Sequence, residues 1–220
     1  MKIYIIRHGS TEQLENNQRQ TLESKLSEQG LDQIRQIGKK LMDLEIDYFF
    51  CSPLKRTVES ANIISKLIKI KAQKNNLLRE VDHPNELYGA NFSDQIVKKY
   101  DQQKLKWLTD LDWKFMNKGE SLRDVINRTI DFKNEMISKY IDKNILIVSH
   151  AYAIRCLISA CVMGDIFTDG AMLRMIHAVR ISKASLSVLE YLPENKYFYI
   201  NLLNDVTHLG KSDILSYGKK

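Results

Sequence analysis

The sequence predicts an α/β fold: a three-layer α/β/α sandwich with a mixed, mostly parallel sheet and a small helical insertion. Three observations predict it. The apolar runs within residues 2–7, 47–52 and 144–149 are short and nearly continuous, which suits strands covered on both faces. Each is followed, directly or after a loop, by apolar residues at helical spacing, the order expected of strands joined by crossover helices. Near the C-terminus, residues 184–191 and 197–202 read as strands around the turn Pro193-Glu194-Asn195, so part of the sheet should be an antiparallel hairpin.

Taken in order, the first strand carries Arg7 and stops at His8-Gly9. Residues 12–24 are polar and lack apolar periodicity, which predicts a functional loop over the crevice. Ser27 is a candidate N-cap, after which Leu31, Ile34, Ile37 and Leu41 should face the sheet. At the end of the second strand, Ser52-Pro53 predicts a helix opening, with serine as N-cap and proline as first helical residue. Arg56 and Thr57 then fall in the first turn. Val58, Ala61, Ile64 and Leu67 or Ile68 should face the core, with Arg56 outside that stripe. Unpaired N–H groups and the positive end of the helix dipole would favour an anion there.

Residues 72–120 are the least regular part and predict a small, partly helical insertion that closes the site from above. Helix resumes at Ser121, whose spacing to Asp124 resembles a capping box, with Leu122, Val125, Ile126, Ile130 and Ile137 on the buried side. The third strand ends at Ser149. His150 follows directly, ahead of a helical run over 151–162.

With 220 residues the chain can bury a substantial core, and it is read as one domain over 1–220 with a helical cap or insertion at about 80–120. No stretch approaches the ~20 apolar residues of a spanning helix, so no membrane partner and a cytoplasmic location are expected. The formal charge of +6 favours anionic ligands, yet the lysines are dispersed, without the basic stripe of a nucleic-acid groove. Small phosphorylated substrates account for the charge as well as a polymer does, and so does a solvated surface with no partner. The sequence leaves a homodimer open. Cys51, Cys156 and Cys161 lack metal-ligand spacing and read as buried, inert thiols.

In open α/β sheets, ligands bind at the C-terminal ends of the strands. Three predicted strands end in Arg7-His8, in Ser52-x-x-x-Arg56 and in His150, so one crevice should receive two histidines and two arginines.

Arg7-His8-Gly9, Ser52-Pro53 with Arg56-Thr57, the leucine-rich lead into Glu80, Gly119-Glu120-Ser121, and Ser149-His150 with Ile154-Arg155 resemble the histidine phosphatase superfamily, the phosphoglycerate mutase-like fold, over nearly the whole chain. The resemblance implies a metal-independent phosphatase acting on phosphate monoesters. His8 would attack phosphorus and carry a phosphohistidine, and Arg7, Arg56 and His150 would hold the non-bridging oxygens. Glu80 would serve as general acid and then base, with Asp82 and Glu86 as nearby competitors. It also places Ser10 and Asn16 at the substrate, Asn17 being the alternative to Asn16. No cofactor or metal is implied: the arginines supply the charge, and His83, His177 and His208 lack a common ligand spacing and read as structural, with His208 a lesser candidate for the pocket.

The sequence departs from the family pattern at Ser10, where glutamate is frequent, and in lacking the usual Trp-Asn pair. Lys183 stands where Asn-x-Ser is common, and the stretch from Glu80 to Gly89 is longer than usual. Two alternatives remain: phosphoryl transfer of the phosphoglycerate mutase type, and a non-catalytic regulator that binds a phospholigand. The missing Trp-Asn pair and the chain's shortness oppose the first; the presence of both histidines and both arginines opposes the second.

Overall fold

The computed structural model describes residues 1–164 and 167–210. The last ten residues of the predicted domain therefore lie outside the described ones. Six strands, β1 (Lys2–Arg7), β2 (Tyr48–Cys51), β3 (Gln73–Lys74), β4 (Asn144–Ser149), β5 (Leu186–Leu192) and β6 (Tyr197–Asp205), form one sheet in the order β3-β2-β4-β1-β5-β6. The pairs β2·β3, β2·β4 and β1·β4 are parallel, and β1·β5 and β5·β6 are antiparallel. The sheet thus changes sense at β1, which puts Arg7 at a point of reversal.

Side chains alternate across the pleat and separate two cores. On one face Ile3, Ile5, Ile145 and Ile147 pack against Phe132 and Met136 of α5 (Leu122–Tyr140) and Ile154, Leu157 and Ile158 of α6 (Ala151–Met163). On the other, Ile6, Leu146 and Val148 meet Ile34 and Ile37 of α2 (Glu28–Lys40) and Ala61 and Ile64 of α3 (Lys55–Ile68). Burial on both sides explains why these strands read as continuous apolar runs, and truncating one of their isoleucines to alanine should cost about 2–5 kcal/mol.

Ser27 caps α2, its hydroxyl accepting from the Gly30 N–H, and Ser121 and Asp124 form the complete capping box of α5. Other expectations need correction. Ser52 and Pro53 do not open α3: the helix begins at Lys55 with Leu54 at the N-cap, because the Ser52 hydroxyl is turned to His150 and the Thr57 hydroxyl donates to the Ser52 and Leu54 carbonyls. Arg56 lies in the first turn, but it is 4% exposed rather than free of the packed face. In α5, Ile130 and Ile137 are only half-buried, and Thr129, Phe132, Lys133 and Met136 take the inner positions. The polar 12–24 segment contains a single turn, α1 (Glu12–Glu15). The two-residue β3 and the helix α7 (Asp169–Ala178) carry no strong pattern and were not expected.

The irregular 72–120 stretch holds α4 (Gln95–Gln103) and four short 3-10 turns. Its own apolar cluster of Leu87, Val97, Tyr100 and Phe115 keeps it folded beside the sheet. Among the described residues, no helix is long and apolar enough to cross a membrane.

Candidate active site

A cavity of about 200 Å³ opens at the C-terminal ends of β1, β2 and β4. Arg7 reaches it from the end of β1, Leu54 and Arg56 from the start of α3, and Ala151 and Tyr152 from the start of α6. Arg79, Glu80, Val81, Asp82, His83, Tyr88 and Lys104 contribute from the irregular segment, which is how that segment covers the strand ends.

His8 and His150 sit just behind this wall, 1% and 0% exposed, with ring centroids 5.1 Å apart. Strand pairing fixes them: the His8 N–H donates to the Ser149 carbonyl, so two adjacent strands deliver both imidazoles to one level. His8 Nδ1 lies 2.7 Å from the Gly9 carbonyl oxygen. A carbonyl can only accept, so Nδ1 carries the proton and Nε2 keeps its lone pair. Burial, then the charges of Arg56 and Arg7, hold the His8 pKa well below its ordinary value, with the Gly9 carbonyl opposing them. Lys183 adds a smaller push in the same direction. His8 is therefore neutral at pH 7, as a nucleophile must be.

Gly9 permits this arrangement. A Cβ there would stand 2.5 Å from the Gly30 carbonyl oxygen, and one on Gly30 would stand 2.0 Å from that of Ser10. Only two glycines let the His8 loop press this closely on the start of α2.

The Arg7 guanidinium donates to the Ile181 carbonyl at 2.7 Å, and that of Arg56 donates to the Thr21 carbonyl at 2.9 Å. Arg56 Nε is buried with no protein partner among the described residues. Burial pulls the Arg56 pKa down to about 10 against the pull of Glu80, so it stays charged at neutral pH. Two anchored guanidinium ions beside a neutral imidazole can neutralise a phosphate dianion. His150 is likewise held neutral, by burial and then by Arg56.

The Glu80 carboxylate accepts from the N–H groups of Tyr152 at 3.2 Å and Ala153 at 3.2 Å, in the first turn of α6. The competitors sit differently. Glu86 is exposed and paired with Lys118, while Asp82, though in the cavity wall, accepts from the Tyr88 hydroxyl at 2.5 Å.

Besides the two histidines behind it, two more expected site residues are not in the wall. Asn16 is exposed at the end of α1, and its neighbour Asn17 is exposed too. Ser10 is buried beneath the loop, its N–H donating to Gln33 Oε1 and its carbonyl accepting from Ser27. Both follow from the chain turning down onto α2 after Gly9. His83 lines the cavity, contrary to the structural reading, while His177 bonds the Trp107 carbonyl and His208 lies outside the wall. The cysteines are free and buried, and burial pushes the Cys51 thiol up to about 11. Arg19, Arg79 and Lys104 escaped sequence reasoning because their segments carry no periodic signal, and Tyr152, in the first turn of the expected helix, was passed over for the histidine two residues before it.

The family model of the histidine phosphatase superfamily (branch 1) matches residues 3–206, and the chain belongs to that superfamily. Phosphoserine phosphatase 1 of Hydrogenobacter thermophilus is 26% identical over 212 residues, covering 96% of this chain and 95% of the relative. A 2,3-bisphosphoglycerate-dependent phosphoglycerate mutase of Staphylococcus epidermidis is 29% identical over 71% of this chain and 82% of its own. The fold matches solved structures of mycobacterial glucosyl-3-phosphoglycerate phosphatase (TM-score 0.77, 22% identity, 92% of this chain and 98% of that one). It also matches the alpha-ribazole phosphatase of Shigella flexneri (TM-score 0.73, 20% identity, 94% and 97%).

Proposed function

We propose that the chain is a metal-independent phosphatase that hydrolyses small phosphate monoesters through a phosphohistidine on His8. The observation that carries the reading is the Nδ1–H···O=C bond of His8 to Gly9, which leaves Nε2 nucleophilic and within the electrostatic reach of Arg56 and Arg7. Nε2 attacks phosphorus in line, an N–P bond forms as the ester P–O bond breaks, and Glu80 gives its proton to the departing alkoxide. Water then attacks the phosphohistidine, Glu80 takes the proton back, and inorganic phosphate leaves. Arg7, Arg56 and His150 hold the three non-bridging oxygens throughout, the electrostatic task a metal ion performs elsewhere. The 26% identity to a phosphoserine phosphatase over 96% of this chain supports hydrolysis over transfer to a second acceptor.

The test is phosphate release from an aryl phosphate in the presence of EDTA, comparing wild type with His8→Ala, and acid-labile phosphate trapped on the protein by rapid quench. Turnover by wild type, absent from the variant, supports the reading. Turnover that needs 2,3-bisphosphoglycerate as phosphoryl donor would select the mutase instead, and turnover abolished by EDTA would remove His8 as the nucleophile.

A further inference from the structure

The cavity holds cations that the chemistry at His8 does not use. Arg19 and Lys104 both line it. The Arg19 guanidinium lies 4.4 Å from the centroid of the Tyr100 ring, and Lys104 Nζ lies 5.1 Å, 5.7 Å and 5.8 Å from those of Tyr152, Tyr100 and Trp107. Tyr100 and Trp107 are buried and meet edge to face, so the shelf under the two cations is rigid. Resting on it, two otherwise flexible side chains are held with their charges at the cavity.

Nothing in the wall neutralises them. Among the described residues, the ion pairs include neither Arg19 nor Lys104. The two carboxylates of the wall are engaged elsewhere, Glu80 by the start of α6 and Asp82 by Tyr88. The charges are felt nearby: His83, stacked on Trp107, is pushed down to about 3 by burial and then by Arg19 and Lys104.

We propose that Arg19 and Lys104 form a second anion-binding subsite, so that the substrate is a small phosphate monoester bearing a second anionic group, a carboxylate or another phosphate. The inference rests on the phosphatase reading for the seat of the first phosphate. A guanidinium fork beside an ammonium point charge suits either oxyanion, and a cavity of about 200 Å³ has room for both groups only on one small molecule.

Hydrolysis-resistant probes test it: propylphosphonate, 3-phosphonopropionate and propane-1,3-bisphosphonate, titrated calorimetrically into wild type, Arg19→Gln, Lys104→Gln and Arg19→Lys. Wild type should bind one of the doubly anionic probes about tenfold tighter than propylphosphonate, the winner identifying the second group. Either glutamine variant should bring that preference close to one, and Arg19→Lys should keep part of it. Equal affinity for all three probes, no binding of any, or a preference untouched by both glutamine variants overturns the subsite. Aryl phosphate turnover, measured alongside, keeps the two readings apart. Turnover without probe discrimination removes the subsite alone, and discrimination without turnover removes the phosphatase reading alone.

Discussion

The Ser52 hydroxyl lies 2.8 Å from His150 Nε2, and both groups are buried. The same oxygen accepts from the Leu54 N–H at 3.4 Å, so its single proton is free to go to Nε2. Donation along that bond puts the imidazole proton on Nδ1, which has no protein partner among the described residues and can then donate to a phosphoryl oxygen. Ser52 is thus a positioning residue. Ser52→Ala should lower kcat/KM by about tenfold, the worth of one hydrogen bond, with little loss of fold. Nitrogen-15 spectra should show His150 as the Nδ1–H tautomer in wild type and as a mixture in the variant. An Nε2–H tautomer in wild type would reverse the direction of this bond and remove the argument.

Acid should inactivate this site later than an exposed histidine would suggest. His8 and His150 both have pKa values lowered well below 6.5, by burial first and by the arginines second. They stay neutral as pH falls through 6.5, so the acidic limb of kcat/KM should lie below ~6.5, the value of an unperturbed imidazole. An acidic limb centred at 6.5 would contradict the burial of His8.

The same shifts link pH to stability. A histidine whose folded pKa is lowered binds fewer protons in the native than in the unfolded state, so its stability contribution is full above ~6.5 and is lost as pH falls toward the folded pKa. Each such histidine should cost about 1.4 kcal/mol per pH unit within that window. Urea midpoints at pH 7 and pH 5 check this. Equal midpoints would mean that the imidazoles are hydrated.

Gly9→Ala should both destabilise and inactivate. Its methyl would collide with the Gly30 backbone, an overpacking worth about 1–3 kcal/mol, and the carbonyl that fixes the His8 tautomer would move with it. Thermal unfolding and aryl phosphate turnover measured on one preparation should fall together. A variant with normal turnover would show that the loop yields without disturbing His8.

Arg128 braces the segment that carries Glu80. Its guanidinium donates to both Glu120 carboxylate oxygens and to the Leu77 carbonyl, and Glu120 in turn accepts from the Asp82 N–H. The two anchor points, Leu77 and Asp82, flank Glu80 in sequence. Arg128→Lys cannot reproduce the bidentate pair, and it should lower kcat several-fold with a smaller change in KM. An unchanged kcat would mean that the bonds to the start of α6 hold Glu80 unaided.

The strands and both histidines were legible in the sequence because burial on two faces forces unbroken apolar runs, and the residue ending each run is delivered to the crevice. Arg56 was placed correctly in the first turn of its helix, but for the wrong reason: serine before proline reads as a cap, whereas Ser52 spends its hydroxyl on a histidine 98 positions away. Asn16 was misplaced because a polar stretch does not reveal where its chain turns, and here the turn is set by two glycines in contact. Two of the cavity's other cations, Arg19 and Lys104, lie over aromatic rings from separate elements, and such a contact leaves no period to read.

Arg7 leans on Ile181, 174 positions further along the chain, and β5, which follows Ile181, is the strand that pairs with β1 on the side away from β4. Arg7 therefore lacks this support until the chain extends past residue 181 of its 220. A nascent or truncated chain ending before Ile181 would leave β1 an open edge and its arginine without this support. Under the proposed function, the phosphate seat is complete only once β5 has paired with β1, and copies ending before Ile181 should bind phosphate more weakly than the full chain.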